Sequence, residues 1–374
     1  MSTAFEAGHV VPEGTGRGTP LRRVPASAPK VHPVAVVAKH VEDPVGRQRP
    51  HCCHEADHNA VTPGMNRRRA EMSVNMTTTD ELRSRLGRVG IWMPPPERLG
   101  IDPALTAAAI ELAGFTSAWV GGGNPDQTAF ARLRAQLSGT ERLIVATGIA
   151  NVWAWEPGGL RTEAEALAAD FPGRFILGLG VSHAPAVEAL GHAYLRPLRK
   201  MERFLDELDH PAHHGGESQL PPIVIAALGP KMLELARDQA LGSHPYFTPP
   251  EHTRFAREVL GAAPLLIPEL AFTLATDPAE GAATARAYAE RYLRLPNYTR
   301  NLESFGFGAA DFQGAGSDRL ISQIIPNGSE PLRQRIQSHL DAGADHVVIQ
   351  PLDAEAFTPA ALTSLAGVVA EFVP

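Results

Sequence analysis

Arg174-Phe-Ile-Leu-Gly-Leu-Gly-Val181 is the stretch on which the reading of the fold turns: after the leading arginine every residue is apolar or glycine. A half-exposed strand alternates polar and apolar side chains, so an unbroken apolar run of this length reads as a strand buried on both faces. Similar runs stand on either side of it. Upstream are Arg88-Val-Gly-Ile-Trp-Met93, Ser117-Ala-Trp-Val-Gly121 and Leu143-Ile-Val-Ala-Thr147. Downstream are Ile223-Val-Ile-Ala-Ala227, Gly242-Ser-His-Pro-Tyr-Phe247, Leu266 to Leu274, and His346-Val-Val-Ile-Gln350. Pro245 and Pro268 weaken the sixth and seventh strands, because proline cannot donate to a ladder. Between the runs lie stretches rich in Ala, Leu, Glu and Arg with helical period, the first opening on Asp102-Pro103 and ending at Gly114. Further helices are expected near 79–86, 126–138, 162–170, 197–209, 231–240, 250–260, 278–293, 330–342 and 358–371.

Eight strand–helix units in about 290 residues predict a TIM (β/α)8 barrel, an α/β fold whose functional site sits at the carboxyl ends of the strands. A doubly wound open sheet would carry a glycine-rich fingerprint after the first strand, and none follows Met93. Residues 294–328 read as an insertion between strands seven and eight, near the barrel mouth, serving as a site cover or as loop filling. Residues 1–80 are different in kind, rich in Pro, Gly and Arg without sustained periodicity, and are expected to form a disordered tail ahead of a folded domain at 81–374. Met72 and Met76 precede the first ordered-looking helix, so an over-extended start is one reading of that tail. The run from His51 to His58, with Cys52 and Cys53, has metal-ligand residue types, but adjacent ligands converge poorly and no metal site is assigned.

With 374 residues, 44% hydrophobic and 20% charged, the chain can bury a large core. A net charge of -7 gives no basic face for nucleic acid. No stretch is long and apolar enough to span a membrane, and no signal-like segment opens the chain, so the cytoplasm is the expected compartment. Two neighbouring cysteines exclude a disulfide framework.

The strand ends deliver glycine, aromatics and few charges: Gly121 to Asn124, Gly148 to Trp153, Gly180 to His183, and Leu228 to Met232 opening a helix. Glycine at these places lets a flat ring or a phosphate approach the backbone, and Gly229 before a helix with Lys231 close by suits an anion. No Ser-His-Asp, Cys-His or paired-carboxylate arrangement is legible, Glu269 standing alone after strand seven. His183 and His244 are the titratable candidates at the rim. Such a site suits redox chemistry, in which a cofactor supplies reactivity and the protein supplies orientation.

Six segments carry a resemblance: Ala146 to Trp153, Pro172 to His183, Ala226 to Met232, His244 to Tyr246 with Thr248 to His252, Leu295 to Thr299, and Asp341 to Val347. In these the chain resembles the luciferase-like monooxygenase superfamily, and within it the actinobacterial deazaflavin-dependent oxidoreductases. The resemblance implies a third strand ending in a bulge with a non-prolyl cis peptide, here Gly148–Ile149, and a bound coenzyme F420. Gly148, Ile149, Ala150 and Asn151, with Gly180, Val181, Ser182 and His183 and with Ala227, Leu228, Gly229, Pro230, Lys231 and Met232, would hold the ring and its phosphate. It implies hydride transfer to or from a small organic substrate, and a homodimer. The alternatives are an FMN-dependent monooxygenase and an idle flavin-binding protein. The glycines after strand two stand where an acid or histidine is expected, which leaves His183, Tyr246 and Trp92 as the candidates for proton donor.

Overall fold

The computed structural model describes residues 79–94, 100–121, 128–209, 220–353 and 355–373. Residues 1–78 of the tail, its histidine–cysteine run and Gly122 to Asn124 lie outside them, while residues 79 and 80 belong to a helix. In chain order a helix over 79–86 (α1) leads to β1 (Val89–Met93), α2 (Pro103–Leu112), β2 (Ser117–Val120), α3 (Ala129–Ser138), β3 (Ile144–Thr147), β4 (Ala150–Asn151), α4 (Pro157–Asp170) and β5 (Phe175–Gly180). Then come α5 (Ala184–Glu188), α6 (Pro197–Leu208), β6 (Ile223–Ile225), α7 (Pro230–Gln239), β7 (Gly242–Ser243), α8 (Pro250–Leu260), β8 (Leu265–Leu266) and β9 (Glu269–Phe272). The remainder is α9 (Pro278–Leu293), α10 (Pro296–Glu303), α11 (Asp318–Ile324), α12 (Ser329–Asp341), β10 (Val347–Pro351) and α13 (Pro359–Val368).

Every strand pairing is parallel, in the order β8-β7-β6-β5-β3-β2-β1-β10-β9, with β4 on β5. β8 and β9 are one strand position interrupted at Pro268, and that position closes the ring. On one side Leu265, Ile267 and Glu269 donate backbone N–H groups to Leu241, Ser243 and Pro245; on the other, Leu266 and Pro268 carbonyls accept from Asp345 and Val348. The proline lacks a donor, but its carbonyl stays in the ladder, which is how strand seven tolerates it. β3 and β4 likewise form one position, interrupted at Gly148–Ile149. The result is the eight-position barrel expected from the sequence.

Side chains sort by the two-residue period of a strand. Trp119, Ile144, Ala146, Ile176, Val224, Leu265, Ile267 and Val348 fill the interior, joined by Leu82 and Leu86 of α1. Their neighbours Ala118, Val120, Val145, Phe175, Leu177, Ile225, Leu266 and Ile349 face the helical layer. Leu82 and Leu86, one helical turn apart, thus plug the amino-terminal end of the barrel. A polar chain pins the same end: Trp119 Nε1 donates to Ser117 Oγ (3.1 Å), which pairs with His346 Nε2 (2.8 Å), while His346 Nδ1 donates to the Gly87 carbonyl (3.0 Å). Asp345 beside it receives Arg83, Arg257 and the Leu266 N–H at 2.6–2.8 Å.

The insertion begins earlier than the sequence suggests. The helix at 278–293 reads as the seventh barrel helix, yet it is α12 that packs against α8 and β10 in the outer layer. α9 instead packs with α10 and α11 around a separate cluster that includes Phe247, Ala271, Tyr288, Tyr298, Leu302 and Ile321. Ala271 points to the barrel interior, since Leu270 and Phe272 on either side face outward. α9 to α11 therefore cover the carboxyl end of strand seven. The return of the chain is tied to that strand through Thr273 and Asn327, whose backbones bridge and whose side chains bond at 2.7 Å.

Candidate functional site

Residues from β1, the β3–β4 position and the end of β7 build the floor of the mouth. The peptide Gly148–Ile149 is cis, at the position the resemblance implies. A Cβ on Gly148 would lie 2.8 Å from Trp92 Nε1 and 3.6 Å from His244 Nε2, so both rings converge on this glycine. His244 is buried and stacks on Trp119 below it, with ring centroids 4.5 Å apart. Its Nδ1 donates to the Ile267 carbonyl at 2.7 Å, which fixes the neutral tautomer with a lone pair on Nε2. Burial lowers its pKa to about 4 against the partial support of that carbonyl, so the ring is neutral at physiological pH. Trp92 Nε1 and His244 Nε2 are both buried, and neither has a hydrogen-bond partner among the described residues. A donor and an acceptor, each lacking what burial normally demands, thus meet above one glycine.

Glycines of β5 make the adjoining surface. A Cβ on Gly178 would meet the Thr147 carbonyl at 2.0 Å, and one on Gly180 would meet Ile149 Cδ1 at 2.5 Å. Thr147 Oγ1 closes a two-way contact with Gly178, donating to its carbonyl and accepting its N–H at 2.8 Å. Beyond them Ser182 takes a left-handed backbone (φ 54°), and its carbonyl accepts from Tyr194 at 3.2 Å. His183 is half-buried; burial lowers its pKa, while a hydrogen bond with Asn297 of α10 raises it.

The loop from Ala227 to Met232 caps α7 with Gly229 at the N-cap and Pro230 in the first turn. Leu228 is held by His252, whose Nε2 donates to its carbonyl at 2.9 Å. A Cβ on Gly229 would touch nothing. Lys231 is exposed and pairs with Glu234 at 3.0 Å, away from the convergence on Gly148.

The insertion supplies the other wall, made of aromatic rings. Trp92 meets Tyr246 at 6.1 Å, Tyr246 meets Tyr292 at 5.5 Å, Tyr292 meets Tyr298 at 5.1 Å, and Tyr298 meets His183 at 5.3 Å. The three residues named as proton-donor candidates, Trp92, Tyr246 and His183, thus stand on one arc. Within it Tyr246 donates to Gln350 Oε1, and Tyr288 Oη lies 2.8 Å from Tyr246 Oη, 3.1 Å from Gln350 Oε1 and 3.3 Å from Glu269 Oε1. Glu269 is 1% exposed, and its Oε2 accepts the Phe247 N–H at 3.1 Å. Burial pushes its carboxyl up to about 8, against the opposing pull of that N–H and of Tyr288. The solitary carboxylate of the sequence is therefore the centre of a buried network. Tyr288, Tyr292 and Gln350 escape the sequence reading, although Tyr288 and Tyr292 sit four apart on one face of α9. No group of three or more metal-ligating side chains occurs among the described residues, and no described helix is long and apolar enough to cross a membrane.

This geometry sits at the carboxyl ends of a barrel whose residues 104–348 match the family of luciferase-like monooxygenases. The chain belongs to that family. Solved structures to which this luciferase-like chain is similar include an F420-dependent secondary alcohol dehydrogenase in complex with an F420–acetone adduct (16% identity, TM-score 0.54, covering 76% of this chain and 99% of that one). Another is the coenzyme F420-dependent tetrahydromethanopterin reductase from Methanopyrus kandleri (15%, TM-score 0.58, 77% and 99%). A third is the oxygenating constituent of 3,6-diketocamphane monooxygenase from the CAM plasmid of Pseudomonas putida, in complex with FMN (15%, TM-score 0.57, 77% and 99%). At these identities the likeness is one of fold. Membership of that family supports an oxidoreductase, and the barrel places the candidate site at the strand ends.

Proposed function

We propose that the mouth of this barrel binds coenzyme F420 and that the protein transfers a hydride between it and a small organic substrate. The observation that carries the reading is the convergence of an unpaired donor, Trp92 Nε1, and an unpaired acceptor, His244 Nε2, on Gly148. A buried polar atom without a partner costs roughly 1–3 kcal/mol, and a ligand presenting a complementary edge would recover it. The glycines agree with this. Gly148 keeps a side chain out of the space between Trp92 and His244, which suits close approach by a flat ring, and Gly178 and Gly180 let the Thr147–Ile149 bulge pack directly on β5.

In this reading Gly148, Ile149, Ala150 and Asn151 with Gly180, Val181, Ser182 and His183 lie against the ring, and the Ala227–Met232 loop at the start of α7 takes the phosphate-bearing chain. When bound, a deazaflavin supplies two-electron hydride chemistry. The protein's own residues orient the ring, exclude water and hold protons. Trp92 donates a hydrogen bond but does not release its proton; neutral His244 accepts one; Tyr246 offers a hydroxyl whose pKa burial raises well above its ordinary value.

F420 is favoured over FMN because the mouth resembles that subfamily in its motifs, and F420-dependent enzymes stand among the similar structures. The FMN complex of the third supports the FMN-dependent alternative. Purification of the full chain from a deazaflavin-producing host, followed by the absorption spectrum of the released cofactor, separates the two. Mixing with reduced and oxidised F420 and a panel of small ketones and alcohols then tests for turnover. Saturable F420 binding with turnover is the expected result. Co-purification of FMN alone, or binding of both F420 forms with no turnover of any compound, would replace this reading with the FMN or the idle-binder alternative.

A further inference from the structure

The hydrogens around Tyr288 can be counted. Its single hydroxyl proton faces the oxygens of Tyr246, Gln350, Glu269 and Tyr292, and the contact to Tyr246, 2.8 Å, is shorter than those to Gln350 at 3.1 Å and Glu269 at 3.3 Å. Tyr246 in turn donates to Gln350 Oε1, an atom that can only accept. The Tyr288 hydroxyl also lies within donating reach of Glu269 Oε1 at 3.3 Å, and when its proton goes to Tyr246 that contact is left for a proton on the carboxyl, whose Oε2 accepts the Phe247 N–H. With the Tyr288 proton on Tyr246, the donors run from Glu269 to Tyr288 to Tyr246, whose hydroxyl also meets Gln350 and Tyr292. The groups packed around Glu269 are the hydroxyls of Tyr246, Tyr288, Tyr292 and Tyr298, with Arg291 over the far ring of Tyr288, and no cation bonds the carboxyl among the described residues. Tyr246 of this chain reaches the mouth, where its ring meets Trp92.

We infer that Glu269 is the proton reservoir of this site and that its proton passes through Tyr288 to Tyr246, the hydroxyl that protonates the substrate. This rests on the proposed hydride transfer. In the reductive direction a carbonyl carbon gains a hydride from a reduced deazaflavin and its oxygen gains the Tyr246 proton. As that O–H bond breaks, Tyr246 takes the proton of Tyr288 and Tyr288 takes that of Glu269, leaving one carboxylate and one alcohol. Burial holds the hydroxyls of Tyr246 and Tyr288 well above their ordinary range, so the three protons move together rather than through a phenolate. Tyr246 is the catalytic residue of this scheme; Glu269 and Tyr288 act through it.

The test has one arm that needs no cofactor. Infrared spectra of the full chain, titrated from about pH 6 to about pH 10, are expected to show a protonated carboxyl C=O band that bleaches near the upper half of that range, is missing in Glu269→Gln, and shifts in Tyr288→Phe. Absence of the band at neutral pH, or a band indifferent to Tyr288→Phe, would overturn the inference. Should Glu269→Gln fail to fold, Tyr288→Phe decides alone. In the second arm, with F420 and a small ketone, Tyr288→Phe and Tyr246→Phe are expected to lower kcat by roughly 10²-fold with F420 affinity unchanged, and the fall of kcat above about pH 8 is expected to vanish in Glu269→Gln. Turnover with an unaltered pH profile in that variant would refute the relay. A chain that shows the band but binds no deazaflavin would refute the proposed function instead.

Discussion

Replacing Glu269 by glutamine changes the pH dependence of stability in a direction opposite to that of most carboxylates. The carboxyl is 1% exposed, and burial raises its pKa to about 8, whereas in the unfolded chain it titrates near 4.3. The folded state therefore binds a proton that the unfolded state has lost throughout the interval between those values. Stability is full below the unfolded pKa and falls as pH rises through the interval, by ~1.4 kcal/mol per pH unit and ~5 kcal/mol across all of it. Glutamine keeps an oxygen for the Phe247 N–H and an amide hydrogen for Tyr288, and it carries no titrating proton. Four buried histidines, His244, His252, His339 and His346, have pKa values lowered to about 3–4, so they destabilise the protein as pH falls below about 6.5. They are common to both proteins and cancel in the comparison. The assay is urea unfolding followed by tryptophan fluorescence at intervals from about pH 5 to about pH 8.5. The variant is expected to gain on the parent by ~1.4 kcal/mol with each pH unit until about pH 8 and then to level off. Parallel stability curves over that range would refute the buried, protonated carboxyl.

Other outcomes follow from the same geometry. Trp92→Phe removes an N–H that has no partner in the free protein, so thermal stability is expected to hold within ~0.5 kcal/mol while F420 affinity drops about tenfold, read by melting and by fluorescence titration. Gly178→Ala meets a backbone carbonyl at 2.0 Å and Gly180→Ala meets the movable end of Ile149 at 2.5 Å, so the first is expected to cost several kcal/mol, at least ~2 more than the second, in denaturant unfolding. His346→Phe leaves Ser117 and the Gly87 carbonyl without their partner and is expected to lower stability by ~2–4 kcal/mol with little effect on cofactor affinity. Gly148→Ala places a methyl 2.8 Å from Trp92 Nε1, and ligand titration is expected to show cofactor binding weakened at least tenfold.

The barrel was legible because its strands are buried on both faces, which leaves unbroken apolar runs such as Phe175–Gly180 and Val347–Pro351. Helix starts were legible where the cap chemistry is local: Asp102 accepts the Leu105 N–H at 2.9 Å, as its place before Pro103 suggests. Strand six shrinks to Gly242–Ser243 because Pro245 has no N–H to donate, although its carbonyl still accepts from Glu269, and Phe247 takes a left-handed turn (φ 55°). The role of α9 was misread for a physical reason: a helix that covers the mouth and one that covers the outer sheet show the same 3.6-residue period, and only tertiary packing tells them apart. Glycine at the strand ends was visible as composition, and its purpose becomes clear from what a Cβ would strike. The Glu269 network was hidden because Tyr288 and Tyr292 read as core residues of a helix, and Gln350 as the polar end of an apolar strand. Asp345 and His346, part of the motif that carries the resemblance, pin the closed end of the barrel.

The claim at the centre of this account is that Trp92 and His244 offer their unpaired nitrogens to a flat ring lying over Gly148. Equilibrium titration of the full chain with F420, and separately with FMN, against the parent and Trp92→Phe, addresses it most directly. The expected result is saturable F420 binding that is weakened about tenfold in the variant, with FMN binding more weakly. Saturation by neither cofactor, or equal affinity in parent and variant, would contradict it.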